Sequence, residues 1–154
     1  MGNVTIKNTD TKTTLYDRLG GIYGITAVID KFSDRILANK DVGYNSKNLF
    51  LREWSRSFSK DRLPGLKFLR SLWVADITGS KYKFEYSSPD IKGRCPFSLE
   101  KVHQRLQISD AEFDIVAGIL KKTMQEFPIA EADQDAVLDA FSKHKTDIVD
   151  HKCL

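Results

Sequence analysis

Three histidines and two cysteines are the side chains of this 154-residue chain best suited to hold a metal or attack a substrate. Cys95 and Cys153 are too few for a disulfide framework and match no common metal spacing, so both read as free thiols. His144 and His151 lie on or beyond the last apolar stripe and read as surface residues. His103 is different. Leu99 stands four residues before it, Leu106 three after it and Val102 beside it, so on a helix the imidazole joins an apolar face that points to the core. On spacing alone such a histidine is a satisfied core residue before it is a ligand. No phosphate loop, zinc-ligand cluster or nucleophile–base pattern accompanies it, so side chains alone offer little chemistry and a cofactor would change that.

The elements that would position His103 are all helical. Thr14 and Asp17 have the spacing of a capping box ahead of a short helix, which Gly20 and Gly21 end. Ile25, Val28, Ile29, Phe32 and Ile36 form one stripe and predict a helix from about Ile22 to Ala38. Residues 39–60 read as a loop with one or two helical turns. Leu66, Leu69, Leu72 and Trp73 restore helical spacing from about Asp61 to Ile77, with Pro64 tolerated in the first turn. Residues 80–97 hold Tyr82, Phe84, Tyr86 and turn formers, and read as a long irregular connection. A short helix from Ser98 to about Leu106 carries His103. A second capping box, Ser109 to Glu112, opens a helix striped by Phe113, Val116, Ile119, Leu120 and Met124, and a last helix is predicted from about Glu131 to Val149. No convincing strand or repeat appears, and the class is all-α.

Length and composition fit one domain, with residues 1–13 as a flexible arm, 14–149 as the folded unit and 150–154 as a tail. The 24 basic and 21 acidic residues are spread along the chain, so no block marks a nucleic-acid or membrane surface. No stretch resembles a signal peptide or a membrane span, and Ile6 breaks the myristoylation pattern that Gly2 opens, so a cytoplasmic protein is expected.

Three blocks carry a family resemblance. TLYDRLGG, from Thr14 to Gly21, followed by AVIDKFSDRILA, from Ala27 to Ala38, resembles the opening of a truncated haemoglobin. VHQRLQISDAEFDIV, from Val102 to Val116, resembles the segment that supplies the proximal histidine in that family. With the Thr78-Gly79-Ser80 helix end, the likeness runs over roughly residues 14 to 148 in the right order. It implies a globin-like two-over-two helical sandwich, group I-like, holding haem b without a covalent link. His103 would then be the iron ligand, its other ring nitrogen steered by an acceptor. The resemblance also places Trp73, Leu99, Val102, Leu106, Ile108, Phe113 and Val116 around the cofactor.

The distal side departs from the family. Where members usually have Phe-Tyr, this chain has Phe32-Ser33, and a serine hydroxyl would reach a ligand only through water. A tyrosine at position 33 would restore the donor and slow oxygen release. The Thr78-Gly79-Ser80 stop aligns Leu66, Leu69 and Arg70 near the ligand. In one register the pocket is nearly apolar; in another Arg70 or Lys67 enters it, although a solvated Arg70 is the simpler reading. The family's paired phenylalanines are replaced at Asn45-Ser46, leaving Phe50 or Trp54 to wedge the haem. Gly93-Arg94 resembles the pair that approaches a haem propionate, but Arg94 stands nine residues before His103, three more than is usual. Cys95-Pro96 matches the dipeptide of some thiolate haem sites but lies in the irregular segment.

The resulting expectation is a haem-binding globin that takes oxygen, nitric oxide or carbon monoxide, or cycles the iron's redox state with a reductase. Nitric-oxide dioxygenase or peroxidase-like catalysis lacks a recognisable distal donor. The rival is a globin-fold sensor or interaction protein in which haem is a signal or has been lost. A Soret band after reconstitution separates the two.

Overall fold

Thr14 and Asp17 close the capping box that their spacing predicts, each backbone N–H donating to the other's side chain at 3.2 Å, and this opens α1 (Leu15–Arg18). The computed structural model describes residues 13–58, 61–81 and 103–149. Gly20 and Gly21 both adopt positive φ, 90° and 66°, and turn the chain directly into α2 (Gly21–Ala38). The expected stripe is buried there, with Ser33 among the apolar residues. Asn48 caps α3 (Leu49–Arg56), its carbonyl accepting from the N–H groups of Phe50 and Leu51. Pro64 sits in the first turn of α4 (Leu63–Ile77), where its missing N–H costs nothing. Ser109 and Glu112 form the second capping box and start α5 (Asp110–Met124).

The last predicted helix divides in two. α6 (Glu131–Ser142) ends in a turn at Lys143 and His144, and α7 (Lys145–Ile148) follows. His144 N–H bonds to the Phe141 carbonyl, three residues back, at 3.1 Å, which tightens the last turn of α6. The break leaves the His144 ring edge-on to Trp73 at 5.1 Å, half-buried, so this histidine is not the surface residue its place in the sequence suggests. An isolated parallel bridge between Ile108 and Val149 ties the residue after α7 to the segment just before α5.

Packing joins α2 to α4 and to α5, and α5 to α6, while α1 braces α2 and α6. The pair α2/α4 therefore faces the pair α5/α6 across one core, an all-α sandwich of two helices over two. Phe32, Ile36, Leu106, Ile108, Phe113, Leu120, Met124, Val137 and Phe141 belong to a single buried cluster. Phe113 stacks on Phe141 at 5.0 Å and Trp73 meets Phe141 edge-on at 6.1 Å, joining both layers through aromatic contacts. Among the described residues no helix is long and apolar enough to cross a membrane.

Candidate functional site

Leu66, Leu69, Arg70 and Trp73 recur at helical spacing and share one face of α4. The opposite face, Ser71, Leu72 and Ala75, is buried. The shared face is only half-buried; Trp73 leans on the core, whereas Leu66 and Leu69 stand outside the packed cluster. α4 is rotated into this position by charge. The Lys67 ammonium lies 2.7 Å from Asp30 and 2.8 Å from Asp34, one turn apart on α2. Burial pulls the Lys67 pKa down, but the hydrogen bonds and charges of the two aspartates outweigh it and raise it on balance.

With Lys67 held at the outer seam, Arg70 turns inward. Its Nη1 donates to Ser33 Oγ at 2.9 Å, and its guanidinium sits 5.8 Å from the centre of the Phe32 ring. Ser33 has no exposed surface. The simpler reading of Arg70 as a solvated helix cation is therefore incorrect, because a buried hydroxyl on α2 and the capture of Lys67 by Asp30 and Asp34 both draw it in. Among the described residues no carboxylate pairs with Arg70. Burial pushes its pKa down to about 10, which leaves it charged at neutral pH. Nε and Nη2 have no hydrogen-bond partner among the described residues.

On the other side, His103 is half-buried and helical. Its carbonyl accepts from Leu106 N–H at 2.9 Å, and Gln107, at φ 48°, reverses the chain toward Ile108. Leu106, Ile108 and Phe113 are buried, and Val116 packs half-buried against the same cluster. Asn48, which the sequence reading leaves within a loop, secures this turn. Its Nδ2 lies 2.9 Å from the Leu106 carbonyl, 3.2 Å from that of Gln107 and 3.0 Å from Glu112 Oε1. The α3 cap and the His103 turn thus share one residue.

Of the two residues offered as a wedge, Trp54 is packed, edge-on to Phe58 at 4.4 Å and against the core. Phe50 is 49% exposed. Arg94, Cys95, Leu99, Val102 and His151 lie outside the described residues. Below the α4 face, Ile25, Val28, Trp73, Leu120, Val137 and Phe141 help to line an apolar cavity of about 30 Å³.

These residues could hold a flat apolar cofactor with a nitrogen ligand: a half-buried, mainly apolar helix face, a half-buried imidazole near the start of α5, and a half-buried cation that no carboxylate among the described residues pairs with. The two facing helix pairs and the histidine-bearing turn ahead of α5 define the fold of the truncated, two-over-two haemoglobins. Solved structures agree. The Fe(III) form of truncated haemoglobin from Tetrahymena pyriformis is similar with a TM-score of 0.68 at 14% identity, over 90% of this chain and 99% of that one. The 2/2 haemoglobin from Synechococcus sp. PCC 7002, in the cyanomet state with covalently attached haem, also has a TM-score of 0.68, at 23% identity over 89% and 98% of the two chains. No protein-family model matches the sequence, and no curated protein does.

Proposed function

We propose that the chain binds haem b non-covalently against the α4 face, with His103 as the protein ligand to iron, and that it handles a diatomic gas or cycles the iron's redox state in the cytoplasm. The observation that carries this reading is the half-buried stripe of Leu66, Leu69 and Trp73 beside a charged Arg70, in a fold shared with solved haemoglobins. When bound, haem would supply an open coordination position and one-electron chemistry.

The chain's own residues do the rest. His103 offers a neutral imidazole nitrogen, and the turn tied down by Asn48 fixes its position. Leu66, Leu69, Leu106, Ile108, Phe113 and Val116 exclude water, and by the family resemblance Leu99 and Val102 complete the proximal wall, with Arg94 at a propionate. Exposed Phe50 covers an edge of the cofactor. Arg70, anchored by Ser33, supplies the distal donor that the Phe32-Ser33 pair otherwise lacks. The cavity beneath α4 is almost wholly apolar and suits a small neutral gas better than water. Redox cycling would require a reductase as partner.

Reconstitution with haemin tests the reading: a Soret band at one haem per chain is expected, and His103→Ala should lose it. Extraction with acid acetone should remove the haem entirely, unlike the covalent group of the Synechococcus protein. A chain that takes up no haem would instead be a globin-fold sensor or interaction protein.

A further inference from the structure

We infer that this pocket selects small monovalent anions over neutral ligands, with Arg70 as the recognising group and Ser33 as its positioning residue; the inference rests on the haem reading above. A guanidinium carries five N–H donors in a rigid fork. Here one of them is spent on Ser33 Oγ at 2.9 Å, which fixes the plane of the fork above the Phe32 ring. Nε and Nη2 make no hydrogen bond among the described residues, which leaves them free to bond a ligand. The carboxylates nearest in sequence to Ser33, Asp30 and Asp34, are both held by Lys67, so they leave the Arg70 charge uncancelled.

A half-buried cation that no carboxylate among the described residues pairs with gains more from an anion than from a neutral hydrogen-bond acceptor, because a charge-assisted bond is about twice as strong as a neutral one. Azide, fluoride and nitrite are small anions that accept hydrogen bonds and carry the complementary charge. The fork therefore does more than donate to whatever binds: it sorts ligands by charge. A haem propionate is the other anion that could meet it, and it predicts a different set of outcomes.

The test is a spectrophotometric titration of the ferric, haem-loaded protein with sodium azide and sodium fluoride, and with imidazole as the neutral probe. In Arg70→Leu the azide and fluoride affinities should fall about ten- to hundredfold, while imidazole affinity changes by no more than about twofold. Arg70→Gln, which keeps length and a hydrogen bond but no charge, should show the same selective loss and serves if Arg70→Leu does not fold. Ser33→Ala should fall between wild type and Arg70→Leu, because the charge remains but its aim is lost. Equal effects on azide and imidazole, or none, would overturn the inference. So would faster haem loss in Arg70→Leu with an unchanged azide-to-imidazole ratio, since that pattern means a propionate partner. Absence of a Soret band in the wild type would overturn the haem reading and this inference together, a result distinct from a loaded protein without selectivity.

Discussion

Ser33 reads as a lost donor until Arg70 is placed on it. Serine is short, and its hydroxyl accepts from the guanidinium instead of reaching into the pocket. Ser33→Tyr, which the family pattern suggests would restore a donor and slow oxygen release, should do neither. Position 33 has no exposed surface, so the ring must displace Arg70 or strain the α2/α4 contact. A loss of about 1–3 kcal/mol is expected, read by urea unfolding of the haem-free chain. A second residue effect concerns pH. Arg35 bonds both carboxylate oxygens of Glu126, its Nη2 at 2.9 Å, and this hydrogen bonding, helped by the charges of Arg35 and Lys31, holds the Glu126 carboxyl below its usual range. Because the folded pKa is depressed, the stabilisation is complete above the ordinary carboxylate value, about 4.3, and disappears as pH falls through the lower folded value. Unfolding of Glu126→Gln between about pH 3 and pH 6 should show a shallower acid-side loss than wild type.

At the scale of elements, Asn48 joins the start of α3 to the chain reversal after His103. Its carbonyl caps two N–H groups while its amide lies against two carbonyls and Glu112. Asn48→Ala removes a cap worth about 1 kcal/mol and strands carbonyls that each lose a bond of similar worth, so a loss of about 2–3 kcal/mol is expected. If the turn positions His103, the same variant should release haem to apomyoglobin faster than wild type, whereas a helix cap acting alone would leave that rate untouched. Gly24 shows a comparable constraint between elements: a Cβ there would overlap the Leu19 carbonyl, so the entry from α1 into α2 requires glycine.

For the molecule as a whole, the half-buried face of α4 links ligand binding to stability. Leu66 and Leu69 add little to the core without a covering group. A ligand that binds only the folded state stabilises it by mass action, by about 4 kcal/mol at a thousandfold excess over Kd. Haem removal should therefore lower Tm well outside the error of the measurement. Protection of α4 amides from hydrogen exchange should fall more than that of α5 or α6, whose cores are filled by Phe113, Leu120, Val137 and Phe141. Uniform loss of protection would place the cofactor elsewhere.

Local chemistry was readable from the residues themselves. The capping boxes at Thr14 and Ser109, the glycine turn at 20–21 and the stripe from Ile25 to Ile36 each depend on neighbours within four residues, and each appears where the sequence puts it. The split at His144 was not readable, because an unbroken apolar period runs through it and only the contact with Trp73 distinguishes it. The distal side was undecided for the same reason. Helical period places Leu66, Leu69, Arg70 and Trp73 on one face, but it cannot say which way that face is turned. The rotation of α4 about its axis is fixed by groups on another helix: Asp30 and Asp34 hold Lys67 out, and Ser33 holds Arg70 in.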